Sequence, residues 1–296
     1  MKLVYLGTPA LAVPPLRALV DAGHEVVLVV SGPDKRRGRG GATSPSPVKA
    51  AALELGIPVS ADPDDVVDAG ADLGVVVAYG RIIRPHQLAA LPMVNLHFSL
   101  LPRWRGAAPV ERAILAGDER TGVCVMEVAE GLDTGDVHAV EALDIGPTET
   151  ADELRERLVA LGTTLLVDTL DTGLAHPTPQ ATHGITYAEK LTPADLELHF
   201  DQPAEQVLRT VRVGGAWTTW RGGRFKVHAG HVAAPGEGTP GGGTPGGEPG
   251  TFIDPVTVAC SDGALSLDVV QPEGKARMDA LAWAIGARPT GERLGT

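Results

Sequence analysis

The segment Asn95-Leu96-His97-Phe98-Ser99 sets three polar side chains at alternate positions of an apolar run. Alternate residues of a β-strand point to one face. The spacing therefore predicts that Asn95, His97 and Ser99 project together from a strand over Val94–Phe98. An isolated histidine in such a run is usually a hydrogen-bonded core residue. This one is followed by a turn sequence, Leu100-Leu101-Pro102-Arg103-Trp104-Arg105-Gly106, that can bring backbone to a ligand. Further on comes Gly131-Leu132-Asp133-Thr134-Gly135, an acidic residue framed by glycines. One amide, one imidazole and one carboxylate are the groups that acyl transfer to an amine needs. The amide donates to the developing oxyanion. The imidazole manages protons in the tetrahedral species, and the carboxylate fixes its tautomer or relays a proton. No serine or cysteine sits in an elbow motif, which predicts direct attack through a tetrahedral intermediate without a covalent enzyme adduct.

Strands and helices must converge to position these groups. Lys2–Leu6 reads as a strand broken by Gly7-Thr8-Pro9, and a helix is predicted over Pro15–Ala22, with Gly23 past its end. Glu25–Val30 and Leu73–Ala78 are nearly continuous apolar runs, as in parallel strands covered on both faces. Ser46-Pro47 reads as an N-cap and first helical residue, with Gly56 closing that helix. Pro85–Leu91 is a short helix before the Val94–Phe98 strand. Strand–helix–strand repetition with short connections predicts an α/β fold, a doubly wound, mostly parallel sheet. The first turn is not GxGxxG, which argues against a dinucleotide cofactor.

Pro109–Ala116 is helical, and strands over Thr121–Val128 and Val137–Leu143 flank the Asp133 turn. Thr150 and Glu153 form a capping-box pattern, and Leu154, Leu158, Leu161 and Leu165 follow at core-facing helical spacing. Gly, His, Pro and Thr dominate 172–184, where a boundary is placed. A helix over Pro203–Val213 is followed by mainly strand-like segments, with hairpin turns at Arg221–Arg224 and Asp262-Gly263. Pro235–Gly250 is a Gly/Pro-rich stretch read as a mobile loop. The domains expected are a catalytic unit over 1–185, a linker over 186–204 and a small β-barrel over 205–296.

The net charge of −12 argues against indiscriminate nucleic-acid binding. Against that background Lys35, Arg36, Arg37 and Arg39 cluster within a glycine-rich loop. Such a cluster is either a solvated surface loop or a phosphate-contacting finger. The two cysteines, Cys124 and Cys260, form no CxxC pair, and the scattered histidines predict no metal site. With neither a membrane-length apolar run nor a signal peptide in the sequence, the cytoplasm is the expected location.

The string Asn95-x-His97-x-Ser99-Leu100-Leu101-Pro102 with Asp133 resembles the formyltetrahydrofolate-dependent formyltransferases. The longer runs SLLPRWRGAAPVERAILAGDERTGV and GLDTGD look like the branch of that family acting on methionyl-tRNA. GTP at 7–9, PSPVK at 45–49, VVAYG at 76–80, YAEKL at 187–191 and DGALSLDVVQPEGKARM near the end extend the resemblance along nearly the whole chain. It implies Asn95, His97 and Asp133 as the catalytic trio. It also implies 10-formyltetrahydrofolate as co-substrate, held near Val77, Ala78, Tyr79 and Gly80 and near Ser99, Leu100, Leu101 and Pro102. The partner implied is initiator methionyl-tRNA, met by Lys35, Arg36, Arg37 and Arg39 and by an OB-like C-terminal domain, with the protein acting as a monomer. Two features depart from the pattern: Gly214-Gly215-Ala216-Trp217-Thr218 stands where Asn-Pro-Trp-Pro is common, and the loop at 236–250 is long. Formyltransferases acting on glycinamide ribonucleotide or on sugar nucleotides share the trio and are the nearest rivals. A non-catalytic RNA-binding protein would leave the trio unexplained.

Overall fold

A computed structural model describes residues 1–36, 43–174, 176–234 and 247–295, with Lys35 and Arg36 described by backbone alone. The first half of the chain runs β1 (Lys2–Gly7), α1 (Val13–Asp21), β2 (Glu25–Val30), β3 (Lys35–Arg36), β4 (Thr43–Ser44) and α2 (Pro47–Glu54). It continues through β5 (Val59–Ser60), β6 (Leu73–Val77), α3 (Pro85–Ala90), β7 (Met93–His97), β8 (Arg105–Gly106), α4 (Pro109–Ala116), β9 (Arg120–Glu127) and β10 (Val137–Asp144). The remainder is α5 (Ala151–Asp171), β11 (Tyr187–Ala188), α6 (Ala204–Val213), β12 (Trp217–Trp220), β13 (Gly223–Val232), β14 (Thr257–Ala259), β15 (Ala264–Pro272), β16 (Met278–Asp279) and α7 (Ala280–Ala287). Two compact units result: residues 1–110, 120–144 and 155–189 in one, and 111–119, 145–154 and 190–296 in the other.

The first unit is built on a seven-stranded sheet in the order β10-β9-β7-β6-β1-β2-β5. Strands β5, β2, β1, β6 and β7 pair in parallel, while β9 is antiparallel to β7 and β10 to β9. All five residues of β6 are buried, as a strand covered on both faces requires. The winding reverses between β1 and β6, and ligands of open α/β sheets bind outside the carboxyl ends at such a switch point. Helix ends follow local chemistry. Ser46 Oγ accepts from Lys49 N at 3.0 Å ahead of Pro47, and Gly23 and Gly56 take φ of 86° and 72° past α1 and α2.

The second unit carries an antiparallel sheet in the order β12-β13-β15-β14, with β16 on β15. Arg221 and Gly222, at φ 49° and 75°, make the two-residue turn of the β12–β13 hairpin. Its register against β15 shifts twice, which bends β13. The core gathers Phe225, Phe252 and Trp283, with Trp283 4.8 Å from Phe225 and 5.7 Å from Phe252. Val207, Leu208 and Val211 of α6 pack on it. Thr150 and Glu153 close the expected capping box: Thr150 N donates to Glu153 Oε2 at 2.8 Å and Glu153 N to Thr150 Oγ1 at 3.3 Å.

Three sequence expectations need correction. Strand β7 ends at His97, so Phe98 and Ser99 already belong to the following bend. The segment expected to be loop between β2 and α2 contains the short β3–β4 ladder, pairing Lys35 with Ser44 and Arg36 with Thr43. The strand-like tail includes a helix, α7, which Asp279 caps by accepting from Ala282 N at 2.9 Å. The stretch over Pro235–Gly250 lies outside the described residues up to Gly246.

Candidate active site

Strand β7 leads up to the site. Its neighbours β6 and β9 hold Asn95 opposite Val76 and Met126, and His97 opposite Cys124. Asn95 is half-buried, and His97, two residues on, is 5% exposed. His97 Nε2 lies 2.9 Å from the carbonyl oxygen of Trp104, and a carbonyl can only accept. Nε2 therefore carries the proton, and Nδ1 is the nitrogen without one in the neutral ring. Nδ1 faces Asp133 Oδ2 at 3.7 Å, close enough for an ion pair and too long for a direct hydrogen bond. The tautomer of His97 is thus set by backbone rather than by Asp133.

Asp133 occupies the turn between β9 and β10 at φ 49°, a left-handed conformation that aspartate tolerates better than most residues. Its Oδ2 accepts from Gly106 N at 2.7 Å. Trp104, at φ 62°, is also left-handed, and its N–H donates to Thr186 Oγ1 at 2.9 Å. Such conformations persist where surrounding contacts enforce them. Here β11 does so, pairing in parallel with β8 so that Tyr187 lies beside Arg105 and Ala188 beside Gly106. Gly106 has no room for a side chain, since a Cβ would stand 2.7 Å from Ala188 O.

Ser99 is fully buried, and its hydroxyl donates to Arg103 O at 2.6 Å, closing the turn after β7. Leu100, Leu101 and Pro102 are half-buried in that turn, with a cis peptide between Leu101 and Pro102. Val77 ends β6 and is buried. Ala78 and Gly80 follow at φ 46° and 74°, exposed at the switch point, while the Tyr79 side chain turns into the core. Thr8, in the loop after β1, donates to Tyr79 O at 3.4 Å and accepts from Gly32 N at 3.3 Å. These loops give the carboxyl end of the sheet an exposed rim of backbone. A cavity of about 470 Å³ lined by Leu73, Met93, Val94, Glu127, His138 and His176 lies instead at the amino-terminal ends of β6 and β7, away from His97.

Burial pushes the Cys124 thiol up to about 11, a backbone hydrogen bond offsetting only part of this, so it stays protonated. It donates to Ser99 O at 3.1 Å. Lys35 and Arg36 form β3, whereas Arg37 and Arg39 lie outside the described residues. The base of their loop is tied down where Lys49 Nζ meets Asp34 at 2.8 Å and Ser31 Oγ meets Ser46 Oγ at 2.6 Å.

In the second unit Arg224, Lys226 and His228 alternate along one face of β13, while Phe225 and Val227 face the core. The Arg224 guanidinium lies 4.2 Å from the centre of the Trp217 ring. Partial burial, with Arg277 and Lys226 adding to it, holds the His228 imidazole below its usual pKa. Arg224 and Lys226 make this face cationic in a chain of net charge −12.

The sequence reading named the turn through Trp104, Arg105 and Gly106 but not that its Trp104 carbonyl and Gly106 N–H hold His97 and Asp133, and it passed over Gln180. Backbone groups leave no residue-type signal. Gln180 stands in the Pro- and Thr-rich stretch after α5, where only its pairing with distant residues marks it.

The family profile described as Formyl transferase matches residues 1–170, and that described as Formyl transferase, C-terminal domain, matches 190–288. The chain is 44% identical to a protein of Symbiobacterium thermophilum named methionyl-tRNA formyltransferase, over 100% of this chain and 94% of that one. It is likewise 44% identical to a protein of that name from Roseobacter denitrificans, over 97% of this chain and 96% of the other. Among solved structures, an N-formyltransferase from Helicobacter canadensis, described with folinic acid and dTDP-3-aminofucose, has a TM-score of 0.67. At 15% identity, covering 92% of this chain and 99% of that one, it is a likeness of fold.

Proposed function

The chain belongs to the formyl transferase family, and from that premise we propose that it transfers the formyl group of 10-formyltetrahydrofolate to the α-amino group of methionyl-initiator tRNA. The observation that carries the reading is the placing of His97, with Nε2 fixed by the Trp104 carbonyl and Nδ1 turned to Asp133. The folate supplies the formyl group when bound. The exposed backbone at Ala78 and Gly80 and the Leu100–Pro102 turn are the surfaces on this chain suited to it. Asn95 donates its amide N–H to the formyl oxygen as charge develops there. His97 takes a proton from the attacking amine at Nδ1, Asp133 stabilises the imidazolium that results, and the same proton passes to the folate nitrogen as its bond to the formyl carbon breaks.

The second unit is read as an OB-like barrel whose Arg224–Lys226–His228 face meets tRNA phosphates. The basic loop at Lys35, Arg36, Arg37 and Arg39 is read as a second contact. A cationic strip with an arginine stacked on a tryptophan suits a phosphate backbone beside unpaired bases. Among the described residues no helix is long and apolar enough to cross a membrane, and the protein is read as a cytoplasmic monomer. The test is formyl transfer from 10-formyltetrahydrofolate to methionyl-tRNA, run beside a 3-amino sugar nucleotide. Transfer to the sugar alone would overturn the acceptor assignment, and transfer to neither would overturn the reaction.

A further inference from the structure

We propose that Gln180 is a positioning residue for this transfer: oriented by Arg105, it holds the Asp133 turn so that the carboxylate stays against His97. The inference rests on the reading of Asp133 given above. Gln180 Nε2 donates to two backbone carbonyls of the turn, Asp133 O at 2.9 Å and Gly135 O at 2.7 Å. Gln180 Oε1 accepts from Arg105 Nε at 3.1 Å and from Arg105 Nη2 at 2.7 Å. Carbonyls only accept and a guanidinium only donates, so a single orientation of the amide satisfies all four contacts. Glutamate could answer Arg105 but would set oxygen lone pairs against both carbonyls. Lysine in place of Arg105 could not supply the two-pronged donor.

The geometry of the grip points to function as well as folding. Arg105 is 8% exposed, yet its buried cation is met by an amide oxygen. Burying a charge is costly unless it is paired, and a carboxylate partner there would add a second negative charge close to Asp133. A neutral acceptor adds no second negative charge beside Asp133. The next residue, Gly106, donates its N–H to Asp133 Oδ2, so two consecutive residues hold the same turn, one by backbone and one through Gln180. Gln180 reaches the turn because the chain after α5 returns to pair with the start of β10. There Val137 N donates to Thr178 O and Thr178 N to Val137 O, each at 2.9 Å. A turn holding a left-handed aspartate needs such external support. A shift of ~1 Å at a catalytic group can cost ~10²-fold in rate.

The test is a double-mutant cycle on the full chain, read by single-turnover formyl transfer to methionyl-tRNA, with thermal unfolding followed in parallel. Gln180→Glu should lower the rate ~10–100-fold, leave the KM for tRNA within about twofold and keep a cooperative melt. Arg105→Lys should fall in the same direction by less. In an Asp133→Asn background, Gln180→Glu should cost less than about threefold more, because the group it positions is already disabled. Wild-type rate in Gln180→Glu, beside a slow Asp133→Asn, would overturn the positioning role and leave the site reading standing. Multiplying effects of the two changes would also overturn it, by making Gln180 a support of the fold at large. Wild-type rate in Asp133→Asn would sink the site reading itself. Should Gln180→Glu melt without cooperativity, Arg105→Lys in the same cycle decides between these outcomes by the same criteria.

Discussion

Asp133→Asn separates the charge of the carboxylate from its shape. Asparagine accepts the left-handed φ of 49° found there. Its amide oxygen can still take the Gly106 N–H, and the contacts from Gln180 reach the backbone of the turn. What disappears is one negative charge 3.7 Å from His97 Nδ1. With Nε2–H engaged by the Trp104 carbonyl, the proposed transfer puts the amine's proton at Nδ1 and makes an imidazolium. At an effective dielectric of ~20, unit charges at that separation attract by about 4 kcal/mol. The ceiling is then a rate loss of ~10³-fold. The carboxylate also serves Gly106 and is 16% exposed. Discounting half for these leaves about 2 kcal/mol, or ~30-fold. Single-turnover transfer at saturating folate and tRNA should therefore slow by between ~30-fold and ~10³-fold, with tRNA affinity within about twofold. A wild-type rate would refute the charge argument. A raised KM at unchanged rate would make Asp133 a binding group.

Asn95→Ala should slow the chemical step ~10²–10³-fold, and Asn95→Asp should do no better, since a carboxylate repels a developing oxyanion; a defect confined to the folate KM would show Asn95 to be a ground-state contact. Asp195 is held down to about 2, first by the Thr192 hydroxyl and N–H and then by Arg112 at 2.7 Å. Its contribution to stability is therefore complete above about pH 4 and lost as pH falls from there towards 2. Asp195→Asn should melt slightly lower at pH 7, by the ~0.2–1 kcal/mol typical of a pair near the surface, and converge with wild type near pH 2; a gap that persists in acid would refute the linkage. Neutralising Arg36, Arg37 and Arg39 together should flatten the salt dependence of tRNA binding by about 0.7–0.9 in log–log slope for each phosphate left without its cation. An unchanged slope with unchanged turnover would make the loop a solvated surface.

Features decided by neighbouring residues were legible in the sequence. Strand β2 and helix α4 fall at the expected bounds, and the Ser46 cap and the Thr150–Glu153 box are present. What escaped has either no period or no local partner. Helix α7 is apolar almost throughout, with Trp283 and Ala284 buried but Leu281 60% and Ile285 80% exposed, so no stripe distinguishes it from a strand. The two-residue strands β8 and β11 are too short to alternate, yet their pairing fixes Gly106, which touches Asp133, and the residue before β8, Trp104, which touches His97. Strand periodicity also overreached at Ser99. It extended the shared face one position too far, and the hydroxyl closes the turn on Arg103.

The side chains near His97 that resemble nucleophiles bear on how the transfer proceeds. Cys124 lies opposite His97 on the adjacent strand β9, but burial keeps its thiol protonated and its Sγ–H is spent on Ser99 O. Ser99 in turn spends its hydroxyl on Arg103 O, and is itself fully buried. Both contacts brace the turn that delivers the Trp104 carbonyl to His97 Nε2. A buried thiol with its pKa raised to about 11 holds almost no thiolate near neutrality. A fully buried serine whose hydroxyl donates to a carbonyl is not activated either. On the proposed reading, the nucleophile must therefore arrive with the acceptor. On that reading the amine attacks directly, and the chain's own part is to hold the formyl oxygen, carry the proton from the amine to the folate nitrogen and answer its charge.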